Sequence, residues 1–131
     1  MRSLIKQSVV LPASAESLYA TYIDPKLHSA MTGGPIEISS EAGSKFSAFG
    51  GQLSGSTISV IAPRLIILSW RSVNFKDTDP DSTLILTFTP EGDQGRIDLL
   101  HVDVPEQDYE GVTNGWDKYY WTPWKNYLAK K

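Results

Sequence analysis

Of the two histidines in this sequence, His101 stands where an imidazole has the most to do. Alternation along Ile97, Leu99 and His101 puts the ring on the apolar side of a strand, where it can hydrogen-bond a bound molecule or pass a proton. The competing reading is a packed histidine satisfied by a backbone carbonyl, because buried polar groups have partners. His28 has no acid at ligand spacing, and two histidines without a single cysteine leave little for a metal. By the same alternation Asp103 falls on the face of His101, so a His101–Asp103 pair and a solvated Asp103 both stay open. Asp77, Asp79 and Asp81 alternate as in a calcium loop but lack its glycine and closing glutamate, and read as a wet loop. Trp70, Trp116 and Tyr120 have the types to line an aromatic site, and equally the types of a core.

Several chemistries are absent. There is no Gly-x-Ser-x-Gly elbow, phosphate loop or dinucleotide fingerprint, and Gly50-Gly51 with Gly55 is followed by no helix, so these glycines serve sheet curvature. With no cysteine, disulfides and thiolate chemistry are excluded. The formal charge is -3 and the twelve basic residues are scattered, so the footprint of nucleic-acid binding is missing. The densest basic spot, Lys125, Lys130 and Lys131, suits a helix C-terminus. No stretch approaches the ~18 apolar residues of a membrane span, and the first residues lack the apolar run of a signal peptide. The expectation is a cytoplasmic protein without cofactor, metal or membrane.

The elements that must position these residues follow from periodicity. At 131 residues the chain suits one domain, 1–131. Ser3 to Leu11 reads as a strand, and Ser14 then caps a short helix carrying Leu18 and Tyr22, stopped by Asp24-Pro25. Lys26 to Ala30 allows one more helical turn before the breaker Thr32-Gly33-Gly34-Pro35, which is either a mobile lip over a cavity or only a turn. About six strands follow up to Val104, with a turn at 41–44, a bend at Gly50-Gly51 and a hairpin at 91–95. The Ser/Thr-rich strand Leu53 to Ile61 reads as near an edge or with one wet face. Ile66, Leu68, Trp70 and Ser72 share one side of the next strand, and Leu84, Leu86 and Phe88 one side of the following one.

The C-terminal segment reads as a helix capped by Asn114. Trp116, Tyr120, Trp124 and Leu128 form one stripe at spacing four, beside Tyr127. Pro123 interrupts it at a cost of about 3 kcal/mol, so a kinked helix is expected, not two separate ones. A sheet of this kind must bury one face, and this helix is the only large apolar partner left. The fold class is therefore α+β, a curved antiparallel sheet wrapped around a long C-terminal helix.

This order resembles the START-like (SRPBCC, helix-grip) superfamily, and within it the family named for the C-terminal domain of the activator of heat-shock protein 90 ATPase. The residues carrying the resemblance are VVLPASAESLYATYIDP, Thr32-Gly33-Gly34, KFSAFGGQLSG and PRLIILSWR. Leu99 to His101, Gly115-Trp116, Tyr119-Tyr120-Trp121 and Tyr127-Leu128 complete it, over essentially the whole chain. Members often have Trp before the Thr-Gly pair, where this chain has Met31. The eukaryotic co-chaperone has a further N-terminal domain, and in this sequence nothing precedes the first strand. The resemblance implies a cavity between sheet and long helix that takes hydrophobic small molecules. The expected function is non-enzymatic binding of a small hydrophobic or aromatic molecule, with Phe49, Trp70, Leu86, Leu99, His101, Trp116 and Tyr120 as walls and Met31 near the mouth. A heat-shock chaperone is the alternative partner, which would make the chain a regulator of chaperone ATPase. A cyclase or hydrolase using His101 is the third reading. Monomer and dimer remain equally open.

Overall fold

Seven antiparallel strands form one sheet in a computed structural model that describes residues 2–130. Lys131, the last of the expected basic tail, lies outside the described residues. Strand β1 (Arg2–Leu11) leads into helices α1 (Ala15–Ile23) and α2 (Pro25–Thr32). Strands β2 (Ile36–Glu37), β3 (Lys45–Ala48), β4 (Leu53–Ile61), β5 (Leu65–Ser72), β6 (Ser82–Glu91) and β7 (Gln94–Pro105) follow. The spatial order is β1-β7-β6-β5-β4-β3-β2, so only β1 and β2 are edges. The Ser/Thr-rich β4 is thus interior to the sheet. Its hydroxyls are used across the ladder, with Ser56 Oγ 3.0 Å from Ser69 Oγ and the Ser56 N–H donating to Ser69 Oγ at 2.9 Å.

Alternation sets the faces. On β5 the residues Ile66, Leu68, Trp70 and Ser72 are buried, and on β6 Ser82, Leu84, Leu86 and Phe88 join them. Ile97, Leu99 and His101 continue this layer on β7. After His101 the alternation breaks. The register between β1 and β7 shifts between Ser3 and Ile5, and Asp103 takes a left-handed φ of 66° and is exposed. The bulge points Asp103 to solvent, so no His101–Asp103 pair forms.

The early helices obey their caps. Ser14 Oγ accepts from the Ser17 N–H at 3.1 Å. Asp24 ends α1 and also caps α2, its Oδ1 accepting from Lys26 N–H at 2.8 Å and Leu27 N–H at 3.2 Å. Pro25 therefore starts the second helix, which extends the single turn expected over Lys26 to Ala30 at both ends, since proline is favoured in the first turn. Gly33, at φ 82°, closes α2 in the left-handed region that glycine adopts without strain.

The last 24 described helical residues form a continuous rod that begins earlier than Asn114. Helix α3 (Glu106–Trp116) follows Pro105 with Glu106 and Asp108 in its first turn, where the dipole favours acids. A π segment (Asp117–Trp121) leads into α4 (Thr122–Ala129). The Thr122 N–H bonds to the Asp117 carbonyl five residues back, and Pro123, which has no N–H to give, sits in the first turn of α4. The expected disruption at Pro123 thus takes the form of one widened turn. Widening brings two consecutive residues, Tyr120 and Trp121, to the buried face alongside Trp116 and Trp124. All four are less than 7% exposed, and the rod lies against the inner face of the sheet. None of the described helices is long and apolar enough to cross a membrane.

Candidate functional site

Strand β5 runs out beside the start of the rod, and a cleft of about 380 Å³ remains between them. Three pieces of chain enclose it. The turn after β3 and the start of β4 supply Phe49, Gln52 and Leu53; the end of β5 and the residues after it supply Trp70, Ser72, Val73 and Asn74; the rod supplies Asp108, Gly111, Val112, Gly115, Trp116, Tyr119 and Tyr120. The rod residues recur every three or four positions, which is one face of a helix. Trp70, Val112, Trp116 and Tyr120 are buried and form the floor, whereas Gln52, Val73, Asn74 and Tyr119 are exposed at the mouth. The size and the mainly apolar lining with a few converging polar groups suit a small molecule.

Phe49 is the most constrained wall residue. Its φ of 53° is unusual for a side chain other than glycine. Its ring packs on Tyr119 and Tyr120 at centroid distances of 5.6 and 6.1 Å. Behind it stands Gly34, where an added Cβ would lie 2.7 Å from Phe49 Cδ1. The Thr32-Gly33-Gly34 breaker is thus the close of α2 and the rest against which Phe49 leans.

Two buried histidines sit behind this wall, each neutral by the logic of its partners. Trp116 Nε1–H donates to His101 Nδ1 at 3.2 Å, so that nitrogen carries no proton. Ser82 gives its only hydroxyl proton to the Trp70 carbonyl at 2.6 Å, so its Oγ accepts from His101 Nε2–H at 2.8 Å. His28 takes the opposite tautomer. Its Nδ1–H donates to the Tyr22 carbonyl at 2.7 Å, and Tyr120 Oη donates to its Nε2 at 2.8 Å. Burial lowers both, His101 to about 3 and His28 to about 4, the latter opposed in part by its bond to the Tyr22 carbonyl. Burial also raises the Tyr120 hydroxyl. His101 is satisfied by a side-chain relay and not by a backbone carbonyl.

At the open end lies a polar cluster. Ser72 Oγ donates to Asp108 Oδ2 at 2.6 Å and accepts the Asn74 N–H at 3.0 Å, while Asn74 Nδ2 approaches Asp108 Oδ1 at 3.4 Å. Asp108 is 5% exposed. Among the described residues no three His, Asp or Glu side chains converge as a metal site would require.

Of the expected wall residues, the cleft gathers Phe49, Trp70, Trp116 and Tyr120. Leu86 and Leu99 are 1% and 0% exposed within the core where α1 crosses β6 and β7, and His101 lies one layer behind Trp70 and Trp116. Met31 is not at the mouth: it is buried on α2, which packs on α4. The reason is that α1 and the rod share the inner face of the sheet, and the cleft opens beside the rod's first turns. Asp108, Gly111 and Val112 were missed because the helix was started at Asn114. Two acids just after Pro105 and the spacing Val112, Trp116, Tyr120 carried the signal.

The family described as "Activator of Hsp90 ATPase homolog 1-like protein" matches residues 12–129. The "Activator of 90 kDa heat shock protein ATPase homolog 1" of Homo sapiens is 25% identical over 107 residues, which is 82% of this chain and 31% of that protein. Homolog 2 of Mus musculus is 28% identical over 115 residues, 88% of this chain and 34% of that protein. The chain thus spans about a third of the length of the curated relatives it matches. Among solved structures, an HSP90 activator from Plasmodium falciparum superposes with a TM-score of 0.86 at 20% identity, covering 96% of both chains. The Aha1 dimer from Colwellia psychrerythraea gives 0.77 at 13% identity and 92% of both chains. At such identities the superpositions establish the helix-grip fold alone.

Proposed function

This chain belongs to the Activator of Hsp90 ATPase homolog 1-like family, and on that premise we propose that it is a non-enzymatic domain binding a small hydrophobic or aromatic molecule in the cleft beside the rod. The observation that carries the reading is a cleft of about 380 Å³ whose floor is Trp70, Trp116 and Tyr120. Apolar walls of this kind supply affinity by burying ligand surface, at about 25 cal/mol per Å². Neither histidine is free to act as a base, since both nitrogens of His101 and both of His28 are engaged by protein groups. A fragment library of aryl and alkyl compounds, followed by tryptophan fluorescence and amide NMR, tests the proposal. Saturable quenching with shifts confined to residues around Phe49, Trp70 and Trp116 is expected; an unresponsive cleft removes the idea.

Regulation of a heat-shock chaperone is the second reading, favoured by the names of the curated relatives. It requires the protein to raise the ATPase rate of a purified 90 kDa heat-shock chaperone. A flat titration would eliminate it, independently of what the cleft binds.

A further inference from the structure

Asp108 is a nearly buried carboxylate at the cleft wall. It is 5% exposed, and among the described residues no Lys, Arg or His pairs with it. Its position as the third residue of α3 places it where the helix dipole favours negative charge, which explains why the fold tolerates it. That does not saturate it. A carboxylate accepts about four hydrogen bonds, and here Oδ2 has one short bond from Ser72 while Oδ1 has only the long contact from Asn74. Oδ1 also faces space that is kept open. Gly111, another cleft residue, would bring a Cβ within 3.3 Å of that oxygen if it had one. Ser72 is itself held on Oδ2, its oxygen accepting the Asn74 N–H.

We propose that Asp108 Oδ1 receives the protonated amine of an aryl-alkyl amine whose ring occupies the aromatic floor. The inference deepens the binding reading above and rests on it. Three features select this class. The oxygen with spare lone pairs needs donors, and an ammonium has three of them. A buried carboxylate without a counter-charge is costly, so a cation gains more there than a neutral hydroxyl does. Trp116, Tyr119 and Tyr120 present ring faces and edges around the same cleft, an environment that stabilises a desolvated cation. An anionic ligand meets the opposite field and is rejected.

The test uses four matched probes, 2-phenylethylamine, 2-phenylethanol, ethylbenzene and 3-phenylpropionate, titrated at neutral pH and followed by amide NMR. The amine should bind at least tenfold more tightly than the alcohol or the hydrocarbon, with the acid weakest. Asp108→Asn, which keeps the shape and the Ser72 contact, should erase the amine's advantage and leave ethylbenzene unchanged. Gly111→Ala, a change that favours the helix and so keeps the fold, should weaken the amine selectively by narrowing the approach to Oδ1. If ethylbenzene binds and the amine shows no preference, or if the preference survives in Asp108→Asn, the inference is overturned while the binding reading stands. If none of the four binds the unmodified protein, both fall.

Discussion

His101 and His28 illustrate how partners, and not residue type, set a side chain's role. The Trp116 indole can only donate, so it fixes the unprotonated nitrogen of His101, and a second proton on that ring would find a donor in its path. A ring held in this way orients its neighbours and exchanges no protons near neutral pH. Its consequence is a pH dependence of stability. In the unfolded chain both histidines titrate near 6.5, whereas in the folded protein they do so at about 4 and about 3. Between those values and 6.5 only the unfolded chain takes up the protons, so stability rises with pH in that window and is lost as pH falls through it. The loss over the full range is on the order of 3 to 5 kcal/mol per histidine. Urea denaturation at steps from pH 7 to pH 4 should show a falling midpoint, with a shallower slope in His28→Gln. A midpoint flat across that range would show that the two rings are not buried as described.

Caps and one widened turn determine how the helices reach the site. Asp24 serves two helices, ending α1 with its backbone N–H and starting α2 with its carboxylate. Asp24→Ala should therefore cost about 1 kcal/mol, the ordinary value of a lost N-cap, read as a drop in melting temperature with the sheet's circular dichroism unchanged. Helix α2 closes at Gly33, and the next residue, Gly34, supports Phe49, so α2 leads directly to one wall of the cleft. In the rod, the π segment converts a stripe of every fourth residue into a broader inward face by adding Trp121, whose Nε1–H donates to Gln7 Oε1 on β1 at 2.7 Å. The widened turn thus ties the rod to the edge strand.

At the scale of the molecule, the sheet owes its dry face to the rod and α1 together. Deleting residues 106–131 should leave Trp70 and His101 uncovered, and the expected outcome is a chain that loses cooperative unfolding and binds a dye specific for exposed apolar surface. A truncated chain that still melted cooperatively would contradict this dependence. The strand run, the turns and the early helix cap were legible in the sequence because they rest on local chemistry, on period-two alternation and on Gly, Pro and Ser at turns and caps. The inward stripe Trp116, Tyr120, Trp124 was legible for the same reason, as helical spacing survives the π turn. The cleft was legible only in part. Trp70, Trp116 and Tyr120 lie there where sequence periodicity put them, and Phe49 joins them from the turn after β3, at a φ of 53° that alternation does not foresee. Leu86, Leu99 and His101 share that periodicity and yet lie in the packed layer, since a face only says in or out and not which element covers it. The carboxylate of Asp108, 36 residues from its partner Ser72, could be placed only by the fold. Alternation and capping are properties of neighbouring residues and so belong to the sequence; which inward residues meet another helix and which border an open space is decided by long-range packing, and so by the tertiary structure alone.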